Sequence, residues 1–342
     1  MSGVPTVSEE LNTWFTQTWY DIKPEATDNI LDATPISALL KMKGCFKTQI
    51  GGDLITKTIR YGEKGATAIK RGSTLPVTEP ELKTQARWDW AYWVVPITRT
   101  FIDDQQNAGT YKITDYVNDR LTAAREGCVQ KIESVIMATT VHASGSEEPL
   151  SLFDYIPSCA STQYFSSSYT YGGIERDNTW WQHEDFTYAN TASGNYNDDK
   201  DGPASMTMLD DMENARNTAG KQLSYPDIYI TEQTLYEIFA SHVMAKEQLI
   251  KDDTTRMADL GYDVLRFHGD PVTWSASMAG TQEMIMLNSR FLDVVYDPRA
   301  WFELTSWERP PRQLEQVAYI ICAMQIIGHN PRFNARVRWA AL

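Results

Sequence analysis

The sequence has few of the residues from which metal sites and disulfide frameworks are built. Its five histidines are scattered through 342 residues, without HExxH or any Cys/His ligand spacing. Its four cysteines are equally scattered, and no CxxC pair occurs. Such cysteines are typical of reduced, mostly buried thiols. We therefore expect no metal and no cofactor.

Long apolar runs and export signals are missing as well. No stretch of about 18 apolar residues is present, so we expect no membrane span. The first residues, MSGVPTVSEELNTW, lack the basic start and apolar core of a signal peptide, which predicts synthesis in a cytoplasm. The hydrophobic fraction of 42% nevertheless supports a folded core.

Motifs of nucleotide-binding and hydrolytic enzymes are also absent. GxGxxG and GxSxG do not occur, and KGATAIKRGST has the residue types of a phosphate-binding loop without its spacing. Asn197, Asp199, Asp201 and Gly202 match the start of a calcium loop, but its twelfth position, which needs glutamate, is Met208. We predict no catalytic residue.

Positive charge is scarce overall but concentrated in one stretch. The net charge of −14 disfavours binding to nucleic acid, because phosphate contacts need clustered Lys and Arg. Residues 47–99 nevertheless hold nine Lys and Arg against five Asp and Glu, whereas residues 145–205 hold ten acids and two bases. Opposite charges within one chain favour head-to-tail contacts between copies, with a merely uneven surface as the alternative.

Two stretches predict long regular elements. From Thr110 to Ala143, apolar residues recur at helical spacing for about 25 residues without proline, which predicts a helix of about 40 Å. Residues 47–99 predict two strands around a basic, glycine-rich turn, with Trp88, Trp90 and Tyr92 on one face of the second strand. An isolated hairpin is marginally stable in water, and its charge predicts an arm that reaches another subunit.

The first 35 residues contain a short amphipathic pattern. It consists of one leucine and four aromatic residues that need a surface on which to be buried, either on their own domain or on a neighbour: Leu11, Trp14, Phe15, Trp19 and Tyr20.

The chain contains, in this order, an N-terminal arm, a basic hairpin, the turn FIDDQQNAG and a long helix. This order resembles that of the major capsid proteins of tailed bacteriophages. The segments FIDDQQNAGTYKITDYVNDRLTAAREGCVQKIESVIM, PDIYITEQTLYEIFASH and LGYDVLRFHGDPVTWSASM resemble that family's spine helix and axial domain. The resemblance covers most of the chain except residues 147–205. It implies an α+β fold of the Hong Kong 97 type.

The resemblance also implies a division of the chain. Its parts are an N-terminal arm at 1–46, an extended E-loop hairpin at 47–99, a P-domain with the spine helix at 100–146, an inserted loop-rich region at 147–205, an A-domain at 206–283, and strands shared by both domains at 284–342. The inserted region is rich in Tyr, Trp, Ser, Asn and Gly, which predicts surface turns that pack on the A-domain or contact a neighbour, a decoration protein or a glycan.

The implied function is a structural subunit rather than an enzyme. It self-assembles as hexamers and pentamers into an icosahedral capsid that encloses double-stranded DNA without sequence-specific binding. The implied location is the virion, after assembly in the host bacterial cytoplasm. No scaffolding-like segment precedes residue 47, so we expect a separate scaffolding protein and a portal, with a decoration protein as a further partner.

On this interpretation the hairpin and the spine helix supply the contacts between subunits. The predicted contact residues of the hairpin are Lys57, Arg60, Lys64, Lys70, Arg71, Trp88 and Trp90. Those of the spine helix are Arg120 and Arg125. The lysine–asparagine crosslink formed by some members would join Lys57, Lys64 or Lys70 to Asn330 or Asn334.

Two other functions fit parts of the sequence. An encapsulin-type nanocompartment has the same implied fold and holds a cargo enzyme instead of DNA. Eleven tryptophans and many carboxylates also fit a carbohydrate-binding or glycoside-hydrolysing protein, although no acid pair stands at a defined spacing.

Overall fold

The computed structural model describes residues 35–62, 68, 70–71, 81–100, 116–139, 141–142, 147–158, 164–189, 208–246, 265–311 and 313–340. Several predictions lie outside these ranges: the amphipathic pattern before residue 35, most of the hairpin tip with Lys64, the start of the long helix, and the calcium-like loop at 197–202. None of the helices in the described ranges is long and apolar enough to cross a bilayer.

Helices and strands alternate irregularly along the described residues, as in an α+β protein. The helices are α1 (Pro35–Met42), α2 (Tyr116–Ile136), α3 (Leu152–Tyr155), α4 (Met208–Gly220) and α5 (Gln233–Lys246). The strands are β1 (Phe46–Thr48), β2 (Leu54–Arg60), β3 (Lys83–Asp89), β4 (Ala91–Thr100), β5 (Thr170–Tyr171), β6 (Ile174–Glu175), β7 (Glu184–Ala189), β8 (Ile228–Thr231), β9 (Leu265–Phe267), β10 (Asp270–Trp274), β11 (Glu283–Leu287), β12 (Leu292–Tyr296), β13 (Glu303–Leu304), β14 (Glu315–Gly328) and β15 (Ala335–Ala340).

The first sheet is built around β14, the longest strand. Its strand order is β1-β12-β14-β13, and β4 pairs antiparallel with the first part of β14. The sequence predicted a strand buried on both faces here because the segment is β-branched and nearly uncharged. The strand is confirmed, but only its second half, from Cys322, is buried on both faces, whereas Tyr319 in its first half is exposed. Helix α2 lies against β4, and its predicted apolar stripe is buried at Ala124, Cys128 and Ile132.

The second sheet has the strand order β7-β15-β11-β8-β10-β9 and carries α4 and α5. Its core is formed by residues such as Met212, Tyr229 and Phe239. Apolar residues at helical spacing from Met208 and a terminal glycine at Gly220 predict a helix with the bounds that α4 has. A strand from Asp227 to Thr231 and a helix from Glu232 to Met244 are also predicted, and β8 and α5 lie there. Strand β15 was missed, because arginines interrupt the apolar pattern of the C-terminal segment.

Two strand predictions were wrong in detail. The returning strand of the hairpin is two strands, since β3 ends at Asp89 and β4, which begins at Ala91, belongs to the first sheet. The strand predicted from Trp301 to Trp307 is reduced to β13, of only two residues. Its neighbour Phe302 has φ of 52°, a left-handed conformation that interrupts the pleat.

The described part of residues 147–205 is not a surface insertion. Phe153, Tyr155, Tyr171 and Trp181 all belong to the main hydrophobic core. Strand β7 extends the second sheet by pairing parallel with β15. Tyr171 and Trp181, two of the aromatic residues that predicted an adhesive surface, are therefore buried, because burial of their large apolar area stabilises the fold more than exposure does.

Candidate intersubunit surface

The hairpin of β2 and β3 has one face on its own chain. Trp88 is 3% exposed, and its ring lies 5.7 Å from the ring of Tyr171. Gly172 packs directly beneath it: a Cβ at that position would lie 2.8 Å from Trp88 Cζ2. The carbonyl of Gly172 also accepts a hydrogen bond from the backbone N–H of Arg87 at 2.9 Å. The described part of the hairpin thus lies on its own domain, contrary to the expectation of a freely reaching arm.

Three of the predicted contact residues are used within the subunit. Trp88 is a core residue, and its burial leaves it no surface to offer a neighbour. Trp90 donates its ring N–H to the carbonyl of Gly52 at 3.0 Å. Lys57 reaches from the same face of β2 to the buried carboxylate of Asp293, with an Nζ–Oδ2 distance of 2.8 Å. A buried carboxylate requires such a partner, so Lys57 stabilises the subunit itself.

The opposite face of the hairpin is polar, basic and exposed. Its cross-strand pairs are Thr56 with Arg87, Thr58 with Gln85, and Arg60 with Lys83. Arg60 and Lys83 stand directly opposite each other, and like charges in that arrangement repel. An anionic surface laid against this face would relieve the repulsion. Lys70 and Arg71, near the tip, are exposed as well.

The two predicted spine residues lie on α2. Arg120 is exposed and Arg125 is half-buried, whereas Ala124 between them is in the core. Glu126 is exposed beside them, so this side of α2 carries both signs of charge. The described residues therefore offer two charged surfaces, the outward hairpin face and the solvent side of α2.

A buried ion pair that the sequence analysis missed joins the second sheet to the segment after α2. Arg336 on β15 binds Glu283 on β11, with its Nε 2.7 Å from Oε2, and donates to the carbonyl of Ile156 at 2.6 Å. Both charged side chains are almost fully buried. In the antiparallel register of β11 and β15, Arg336 stands opposite Ile285 and reaches diagonally to Glu283, two residues along β11 on the same face. No sequence motif signals this arrangement.

Of the two asparagines considered for a crosslink, Asn334 is a structural residue. It is fully buried, and its Nδ2 donates to the Tyr155 hydroxyl at 2.8 Å. Its Oδ1 accepts the backbone N–H of Asn288 at 2.8 Å. A lysine of another subunit could reach this amide only if the core opened.

The described residues offer little for other chemistry. They contain no group of three or more His, Cys, Asp or Glu side chains arranged to hold a metal ion. Cys45, Cys128 and Cys322 are free, and their burial is as predicted for these three thiols. Burial raises the pKa of Cys45 to about 12, which makes it unreactive. Of the nine tryptophans among the described residues, five lie in the core instead of on a glycan-binding surface: Trp88, Trp93, Trp181, Trp301 and Trp339.

The fold is similar to that of several solved shell proteins. A chain of the cyanophage A-1(L) capsid matches with a TM-score of 0.60 at 15% identity, over 89% of this chain and 92% of that one. The encapsulin of the holo-SrpI complex from Synechococcus elongatus matches with a TM-score of 0.52 at 8% identity, over 89% and 87%. The capsid of an empty GTA particle matches with a TM-score of 0.51 at 11% identity, over 89% and 90%.

Sequence comparison adds nothing to this likeness, since no family model and no curated protein matches the chain. At such low identities the likeness concerns the fold. The chain has the mixed α+β fold of capsid and encapsulin shell proteins.

Proposed function

We propose that this chain is the major capsid protein of a tailed double-stranded DNA bacteriophage. The observation that carries the proposal is the match to the cyanophage capsid chain, which extends over about nine tenths of both chains. A likeness of that extent concerns most of the chain rather than one common motif. In this proposal the subunit forms hexamers and pentamers that close into an icosahedral shell, and it catalyses no reaction.

The architecture supports assignment of the parts to a Hong Kong 97-type subunit. We assign the first sheet with α2 to the P-domain and its spine, the second sheet with α4 and α5 to the A-domain, and β2 and β3 to the E-loop. Residues 1–46 remain the arm in this assignment. Residues 164–189, which bury Tyr171 and Trp181 in the core, are then part of the subunit body.

The proposed contacts between subunits are electrostatic. The outward cations of the hairpin, Arg60, Lys70 and Arg71, together with Lys64, which lies outside the described residues, would meet acidic surface on a neighbour. Arg120 and Arg125 on α2 would meet a neighbour's hairpin. An exposed ion pair contributes only about 0–1 kcal/mol. Repeated over a shell, such pairs would set register and partner choice, while apolar burial would provide most of the stability.

The surroundings of the subunit follow from the same proposal. The shell would be assembled in the bacterial cytoplasm with a separate scaffolding protein and a portal, and a decoration protein would bind its surface. Net negative charge suits a shell that encloses DNA without gripping it, because packed DNA must also leave. The completed protein would reside in the virion.

Electron microscopy of the purified protein, alone and in extracts of its native source, tests this proposal. Rings, sheets or closed shells are expected, and shells from the native source should hold DNA. A discrete monomer at high protein concentration, with no particles in the native source, would contradict it.

An encapsulin-type nanocompartment is the second candidate, favoured by the match to the holo-SrpI encapsulin. The contents of the shell distinguish the two. A phage capsid absorbs strongly at 260 nm because of its DNA, whereas a nanocompartment releases a co-purifying protein on denaturation.

A further inference from the structure

On one face of the first sheet, apolar side chains of β4 and β14 are exposed among the residues that the structure describes. On β4, Tyr92 and Val94 are 61% and 53% exposed, and Pro96 is exposed beside them. The antiparallel register places Tyr319 of β14, 40% exposed, opposite Pro96, and half-buried Ile321 opposite Val94. These side chains form one continuous strip, which we call the outer sheet face.

The other face of the same strands is in the core. Trp93 and Ile97 alternate with the exposed residues of β4 and are 6% and 3% exposed, and α2 packs on their side. A strand with one buried face normally carries polar residues on its other face. A contiguous exposed apolar strip is uncommon on a soluble subunit and marks a binding surface.

We propose that the outer sheet face binds the N-terminal segment, residues 1–34, of this chain. That segment lies outside the described residues, and its apolar stripe of Leu11, Trp14, Phe15 and Trp19 needs a surface to cover it. The match is chemical: flat aromatic and aliphatic side chains on the sheet would bury the aromatic residues of the segment. The inference stands whether or not the chain forms a shell.

The connection of the segment supports this assignment. Residue 34 leads directly into α1, which packs against α2, and α1 leads into β1 at the edge of the same first sheet. The segment thus starts beside the sheet whose outer face is bare. A chain of 34 residues spans up to about 110 Å when extended, so it reaches this face on its own subunit or on a neighbour.

Two other occupants fit less well. The hairpin of a second copy presents Arg60, Lys83 and Arg87. These cations would pair with Glu303 and Glu315 at the margin of the outer sheet face, but they would leave its aromatic and aliphatic side chains without apolar partners. Direct pairing of two outer sheet faces would bury apolar area but leave the aromatic residues of the N-terminal segment without a surface. Both alternatives are outcomes of the experiment below.

Crosslinking between introduced cysteines tests the proposal in the full-length protein. In a Cys159→Ser background, the pair Trp14→Cys and Val94→Cys is treated with a short bismaleimide. The remaining cysteines at 45, 128 and 322 are buried, and Val94 is exposed, so the substitution does not disturb the core. The matched control combines Trp14→Cys with Arg87→Cys, on the exposed face of the hairpin.

The expected result is crosslinking of the 14–94 pair at least tenfold faster than of the control pair. A shifted monomer band on a denaturing gel means that the segment binds its own subunit, and a dimer band means that it binds a neighbour. In full-length protein carrying Trp14→Ser, Phe15→Ser and Trp19→Ser, a single cysteine at 94 should react faster with maleimide, because the face is uncovered.

Three results would overturn the proposal. Dimers of the single Val94→Cys variant would assign the face to a second sheet. Preferential crosslinking of Lys70→Cys to Val94→Cys would assign it to the hairpin. Equal crosslinking of the test and control pairs, with unchanged maleimide reactivity in the triple-serine variant, would show that the N-terminal segment does not cover the face.

Discussion

Arg336 is the buried cation that connects β15 to β11 and to the segment after α2. Its guanidinium binds Glu283, donates to the carbonyl of Ile156, and lies 4.7 Å from the ring centroid of Phe153. Removal of one partner from such a buried pair leaves the other charge uncompensated. We therefore expect Arg336→Met to lower the free energy of unfolding by about 3–5 kcal/mol.

Urea denaturation of the dissociated subunit measures this loss. The double variant Arg336→Met with Glu283→Leu should recover most of it, because two apolar side chains leave no buried charge. Arg87→Ala, on the exposed hairpin face, is the control and should change stability by less than about 0.5 kcal/mol. A cost for Arg336→Met no larger than that of the control would contradict the assigned role.

His183 makes the subunit sensitive to acid. Burial holds the pKa of His183 well below its ordinary value, and the nearby guanidinium groups of Arg176 and Arg336 lower it further. The folded protein therefore keeps this imidazole neutral, while the unfolded chain takes up a proton below a pH of about 6.5. The stability that the neutral His183 contributes is fully present above that pH and is lost as the pH falls. The free energy of unfolding then decreases by up to about 1.4 kcal/mol per pH unit for this one proton.

His183→Gln should flatten the fall of the unfolding free energy between roughly pH 6.5 and 5, because glutamine does not titrate. Trp181→Phe is a suitable control, since it disturbs the neighbouring core without removing a titrating group. It should lower stability at every pH and leave the slope unchanged. Equal slopes for His183→Gln and the wild-type protein would show that another group causes the acid sensitivity.

At the scale of elements, the turn between β5 and β6 supports the hairpin. Gly172 and Gly173 form this turn with φ of 61° and 73°, the left-handed values of a tight hairpin turn. A side chain at either position is strained by the backbone. Only at Gly172 would a Cβ also meet the Trp88 ring, whereas nothing lies within 4 Å of a Cβ at Gly173.

The two glycines thus form a matched pair for one experiment. Gly172→Ala should lower the free energy of unfolding by about 1–3 kcal/mol more than Gly173→Ala does. Both variants strain the backbone, but only Gly172→Ala also overpacks the space against Trp88. Thermal or urea unfolding of both variants measures the difference. Equal losses would mean that the hairpin is not packed on this turn.

At the scale of the whole molecule, the outward cations of the hairpin are expected to control assembly rather than folding. Arg60→Glu combined with Lys83→Glu should abolish rings or shells while the subunit keeps its unfolding midpoint, since neither side chain is buried. Arg266→Glu with Arg290→Glu changes the net charge equally, also at exposed positions, and serves as the control. Sedimentation and electron microscopy compare the two proteins.

Salt provides an independent readout of the same contacts. Assembly of the wild-type protein should weaken as ionic strength rises, because exposed ion pairs are screened within about 10 Å at 0.1 M salt. Normal assembly of the Arg60→Glu, Lys83→Glu variant, or failure of the Arg266→Glu, Arg290→Glu control, would remove the hairpin from the proposed interface.

Local patterns were sufficient for several elements. The spacing of apolar residues and the terminal glycine predicted α4 with its observed bounds, and the nearly uncharged β-branched run predicted β14. The order of arm, hairpin and long helix also indicated the fold shared with capsid proteins. These features depend on residues close together in the chain, so the sequence alone determines them.

The assignment of faces required the tertiary structure. Alternation along β2 and β3 predicts two faces, but only the contact with Gly172 and Tyr171 decides that Trp88 is core and that Lys57 is committed to Asp293. Likewise, only the fold shows that Arg336, in a basic C-terminal segment, reaches Glu283 on the neighbouring strand β11. Sequence periodicity defines which side chains share a face, whereas long-range packing decides which face meets the subunit's own core and which remains for a partner.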